Sequence, residues 1–113
     1  MPATPPARRL RCLPLITVLG RQVRLASGPR VRLLGLAHLD LEEAGLGLLI
    51  PSCRSVHTFG MRFALDLHFL DAGGAVVESR LAVPPRRLAI CGKADAVLEI
   101  PAGQGGEIAA RRP

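Results

Sequence analysis

The feature that most limits what this chain can fold into is a pair of strand-like segments joined by a glycine turn. Residues 61–70 end in Leu65-Asp66-Leu67-His68-Phe69-Leu70, and residues 75–83 carry Val76-Val77-Glu78-Ser79-Arg80-Leu81. Between them stands Asp71-Ala72-Gly73-Gly74, a hairpin connection of the kind that needs glycine at positive φ. Successive strand side chains point to opposite faces. Leu65, Leu67 and Phe69 therefore share a core face, and Ala64, Asp66, His68 and Leu70 share the other. The middle of the chain is committed to antiparallel sheet.

The flanking segments extend that pattern. Residues 15–25 read as two short β segments about Gly20-Arg21. Ser27-Gly28-Pro29 is a helix-start signal; Val31 and Leu34 fall on one face, and the helix should end near Ala37. Residues 39–47 read as a loop or one helical turn, with Asp40, Glu42 and Glu43 as a solvated acidic face rather than a site. Residues 48–50 form a short buried strand stopped by Pro51. Residues 88–90 and 96–100 supply two more, the last closed by Pro101-Ala102-Gly103. The expected fold is α+β, mostly antiparallel β, a compact barrel-like sheet with one or two short helices. A single globular domain should cover residues 13–104. A Pro- and Arg-rich disordered tail (1–12) should precede it and a basic tail (105–113) follow it.

Composition narrows the function classes. The 113 residues allow one domain. A net charge of +6 first suggests nucleic acid, but much of it sits at the ends, in Arg8, Arg9, Arg11, Arg111 and Arg112. The absence of Trp and Tyr removes the usual stacking platforms for single strands. Nucleic acid is thus not an expected partner, although the Arg-rich ends could engage an acidic one. No apolar run approaches the ~20 residues of a transmembrane helix. The apolar run at 12–20 is short for a secretory segment and lacks a small-x-small cleavage site. A cytoplasmic location is expected, with export as a minor alternative. Three cysteines, at 12, 53 and 91, are too few and too scattered for a disulfide scaffold.

Chemistry-bearing side chains concentrate in residues 53–66. Cys53-x3-His57 with distant Cys91 offers zinc ligands for an open three-ligand site, although no fourth ligand is evident. No other cofactor is expected, since there is no phosphate-binding loop. Cys53 or Ser55 could act as a nucleophile with His57 as base and Asp66 orienting the imidazole, which would make a metal-dependent or Cys/His hydrolytic enzyme. Ser55, His57, Thr58, Phe59, Met61 and Asp66 could instead line a site for a small ligand or a protein. The simpler readings are that Met61, Phe59 and Phe63 with Val56 seal the core, that Asp66 accepts loop amides, and that His68 is plain surface. The balance favours a non-catalytic binding module at residues 53–66.

Several segments occur in the order Gly47-Leu48-Leu49-Ile50, Leu65-Asp66-Leu67-His68-Phe69-Leu70-Asp71, Gly74-Ala75-Val76-Val77 and Ala96-Val97-Leu98-Glu99-Ile100-Pro101-Ala102-Gly103. Over about residues 22 to 104 this resembles the domain of unknown function 192 family of small bacterial and archaeal proteins. Where that family carries F-W-M-K-N-T, this chain has Val56-His57-Thr58-Phe59-Gly60-Met61, and Ala64 replaces the proline before Leu65-Asp66. The resemblance implies a compact, β-rich α+β fold and no established catalytic activity.

Overall fold

The computed structural model describes residues 8–104. In chain order the elements are α1 (Arg8–Arg11), β1 (Leu15–Val18), β2 (Arg21–Leu25), α2 (Pro29–Leu34), α3 (Leu41–Ala44), β3 (Leu48–Pro51), β4 (Ser55–His57), β5 (Leu65–Leu70), β6 (Val76–Val83), β7 (Leu88–Ile90) and β8 (Ala96–Pro101). Six strands form one sheet in the order β1-β2-β3-β8-β5-β6, and β4 and β7 form a separate ribbon. Neighbours in the six-stranded sheet are antiparallel except β2 and β3, which run parallel through Arg24↔Leu48 and Leu25↔Leu49.

Local chemistry accounts for most of these elements. The β1–β2 turn places Leu19 and Gly20 at φ 52° and 80°, the pair of positive values that a two-residue hairpin demands. In the β5–β6 turn, Asp71 Oδ1 accepts the Gly73 and Ala75 amides at 2.9 and 3.0 Å. Pro29 opens α2, and Gly35, at φ 53°, stops it with its N–H on the Val31 carbonyl. At α3 the Asp40 N–H donates to Glu43 Oε1, and Asp40 also pairs with Arg62 at the surface. The acidic segment is thus a helix start and a solvated face.

The two central strands, β5 and β8, are buried along their whole length. On one face Leu65, Leu67, Phe69 and Val97 pack beneath Leu10, Leu36, Leu39, Val56, Met61 and Ala89, contributed by the helical segments and the ribbon. The other face holds Leu70, Leu98 and Ile100 with Val23, Val76, Ile16, Val18 and Leu19. Every residue of that second cluster comes from the sheet's own strands or the β1–β2 turn. Among the described residues, curvature of the twisted sheet rather than a covering layer closes this face.

The curl stops short of the expected barrel. Among the described residues β1 pairs only with β2, and β6 only with β5, so both remain edges. Curvature also reverses the expectation for His68: it is fully buried, between Ser79 and Leu98 in register, with Nδ1 and Ser79 Oγ 2.7 Å apart. Arg8–Arg11, assigned by composition to a tail, form a helical turn. Leu10 is fully buried there, a burial that contributes about 2 kcal/mol, and Arg9 donates to the Gly35 and Ala37 carbonyls.

Candidate functional site

The ribbon decides which residues of the central loop can meet. Its register is Ser55↔Ile90, Val56↔Ala89 and His57↔Leu88. Beyond it the Cys91 N–H donates to the Arg54 carbonyl and the Cys53 N–H to the Asp95 carbonyl. Cys53 and Cys91 thus lie at one end of the ribbon and His57 at the other, about 10 Å away at strand rise. Cys53 lines a different cavity from His57, and its Sγ donates to the Ser55 carbonyl at 3.0 Å. The cysteines are free thiols. Among the described residues no three His, Cys, Asp or Glu side chains gather where they could hold a metal ion. The Cys53–His57–Cys91 zinc grouping and the Cys53–His57 dyad are therefore not assembled.

Asp66 is occupied elsewhere. It lies on the curled face, where Oδ1 accepts the Ala82 amide at 2.8 Å and Oδ2 accepts that of Gly103 at 3.2 Å. This is the loop-amide role, and it ties the end of β6 to the turn after β8. Thr58 is equally committed: its hydroxyl donates to the Pro84 carbonyl and accepts the Arg87 amide, both at 2.8 Å. Val56 and Met61 belong to the core, Phe63 packs against it, and Phe59 is exposed.

What remains of the sequence-level site is Ser55 and His57, and these, with Val56 between them, line a cavity of about 170 Å3. Its other walls are Arg32 to Gly35 at the end of α2, Ile50 of β3, Leu88 of β7 and Glu99 of β8. The His57 Nε2 lies 3.1 Å from the Leu33 carbonyl. A carbonyl can only accept, so Nε2 carries a proton; in the neutral tautomer that leaves Nδ1 as the acceptor. That Nδ1 is buried and has no partner among the described residues. The ring also packs tilted against Phe59, with centroids 5.9 Å apart.

Glu99 is the residue that sequence reasoning passed over. Its side chain is only 3% exposed. In register it is flanked by Leu48 on β3 and Leu67 on β5, both fully buried. Burial in this apolar setting raises its pKa to about 7, opposed by a hydrogen bond from the Leu36 backbone. Among the described residues Oε1 has no hydrogen-bond partner. A signal was present in the sequence: Ala-Val-Leu-Glu-Ile-Pro is a fully buried strand by its apolar residues, yet it carries one carboxylate. Such a group must find a partner, stay protonated, or serve a site.

The comparisons with known proteins bear on the fold. A family model for domain of unknown function 192, described as Uncharacterized ACR, matches residues 17–110. No curated protein matches. A crystal structure of a candidate transcription regulator from Sinorhizobium meliloti 1021 is 21% identical, covers 84% of this chain and 82% of its own, and superposes with a TM-score of 0.61. A protein of unknown function from Novosphingobium aromaticivorans DSM 12444 is 18% identical, with coverage of 87% and 86% and a TM-score of 0.56. At these identities the likeness is one of fold. No helix among the described residues is long and apolar enough to cross a membrane.

Proposed function

The chain belongs to the domain of unknown function 192 family, and from that premise we propose that it is a small-ligand-binding module whose site is the cavity between α2, the β4–β7 ribbon and β8. One observation carries the reading. Two residues lining the same cavity, Glu99 and His57, each hold a buried polar atom with no partner, Oε1 and Nδ1. An unsatisfied buried acceptor costs about 1–3 kcal/mol, more when charged, and a bound molecule that satisfies both would recover that cost. The remaining walls are mostly apolar, with Ile50, Val56, Leu33, Leu34 and Leu88 beside the polar Arg32 and Ser55, the usual make-up of a small-molecule site.

A test is amide-resolved NMR of the full chain against a mixed set of single-ring fragments. Fragments that bind should shift Gly35, Leu36, Val56, His57 and Glu99 together. Shifts scattered over the surface, or none, would sink the reading.

A second reading is supported by Glu99 itself. A carboxyl group with its pKa raised to about 7, in one cavity with an imidazole, has the acid–base poise of a general catalyst. It differs from the first in requiring that a bound molecule be turned over.

A further inference from the structure

We infer that the cavity takes a small organic cation: a primary ammonium or amidinium group on a compact apolar body, its N–H groups donating to Glu99 and to His57 Nδ1. The inference rests on reading the cavity as a ligand site and adds the class of ligand.

Both orphaned atoms point to the same chemistry. The Glu99 carboxylate can only accept, and with Nε2 donating to the Leu33 carbonyl the neutral His57 ring offers Nδ1 as an acceptor too. A ligand that satisfies both must bring two or more donors, as an ammonium or amidinium does. A ligand carboxylate would place like charges together; an ether or ketone would meet acceptor with acceptor.

Charge agrees with hydrogen bonding. Leu48 and Leu67 flank Glu99 laterally, and the Gly35–Leu36 backbone lies over it. Two guanidinium groups lie nearby, Arg32 lining the cavity itself; both keep their charge and are held by backbone carbonyls rather than by Glu99. From α1, Arg9 donates to the Gly35 and Ala37 carbonyls. From α2, Arg32 donates to the carbonyls of Pro51 and Ser52. From β4, His57 is held through Nε2 by Leu33. Among the described residues no ion pair reaches the Glu99 carboxylate, and a ligand cation would provide a counter-charge.

Size and rim define the rest of the molecule. A cavity of about 170 Å3 is close to the roughly 150 Å3 that holds a benzene-sized guest. At its mouth Leu33 and Leu88 are 69% and 64% exposed, large apolar side chains left open to solvent beside a charged floor. A short apolar body would cover them.

The test compares benzylamine, benzamidine, benzyl alcohol and benzoate on the full chain at pH 8, by calorimetry and by amide shifts at Gly35, Leu36 and His57. Benzylamine and benzamidine should bind at least tenfold more tightly than benzyl alcohol, and benzoate more weakly still. Between pH 8 and pH 6 amine affinity should fall about tenfold, because a carboxyl group with its pKa near 7 must release its proton to pair with the cation. Glu99→Gln, nearly isosteric, should erase the preference for amine over alcohol. Equal binding of alcohol and amine at these residues, or a preference for benzoate, would overturn the cation and leave the ligand site standing. If no probe shifts the cavity, the site itself is wrong and the cation falls with it.

Discussion

The backbone of Gly35 lies against the carboxyl group of Glu99: a methyl group on Gly35 would sit 2.7 Å from Oε1. Gly35 also holds φ 53°, a conformation that costs other residues energy. The end of α2 and the middle of β8 therefore meet at a glycine, where any side chain would collide with Glu99.

Gly35→Ala should destabilise the fold by about 2 kcal/mol, from left-handed backbone strain and overlap with Glu99 together. Urea denaturation would register this as a lowered midpoint at unchanged slope. A wild-type midpoint would mean that α2 can move off β8.

Glu99 should make stability depend on pH in one window. An unfolded carboxyl group titrates near its ordinary value of 4.5, and the folded one near 7. Between these the folded chain keeps a proton that the unfolded chain releases. The contribution is fully present below 4.5 and is lost as pH rises toward 7, by on the order of 3 kcal/mol. Denaturation curves from pH 4.5 to 8 should show that decline in the wild type and a flatter profile in Glu99→Gln.

Asp66→Asn should weaken the tie between β6 and the turn after β8. The new amide nitrogen faces a backbone N–H at either Ala82 or Gly103, donor against donor. The expected cost is about 1–3 kcal/mol, with faster hydrogen exchange at those two amides. Fragment shifts around the cavity should be unchanged, which separates a structural Asp66 from a ligand-binding one.

Thiol labelling should resolve the three cysteines. Cys12 is exposed and Cys53 half-buried, whereas Cys91 is buried. Two thiols should react promptly and the third about tenfold or more slowly, limited by opening of the ribbon. Three equally fast thiols would show that β7 does not stay docked.

Much of the fold was legible in the chain. Asp71 through Gly74 had to be a turn, Pro29 opens a short helix that Gly35 stops before the expected end at Ala37, and the apolar residues of 96–101 make a strand; each signal acts over a few residues. The site was less legible. Ser55 and His57 stand where the sequence suggested a site, but Cys53, Thr58 and Asp66 are engaged in holding the loop and the sheet together. The free hydrogen-bonding capacity is on Glu99, in a segment that reads as scaffold.

By itself the sequence determined the strands, the turns and the apolar face of β5, because alternation and glycine or proline punctuation are local constraints on φ, ψ and burial. Only the tertiary structure decided that the sheet curls and leaves its edges open, that His68 is inside it, and that β3 and β5 flank β8 so that Glu99 sits between Leu48 and Leu67. Those facts depend on strand order and on what covers each face. A carboxyl group's desolvation is set by neighbours brought from distant parts of the chain, so the cavity's chemistry is a property of the assembled sheet.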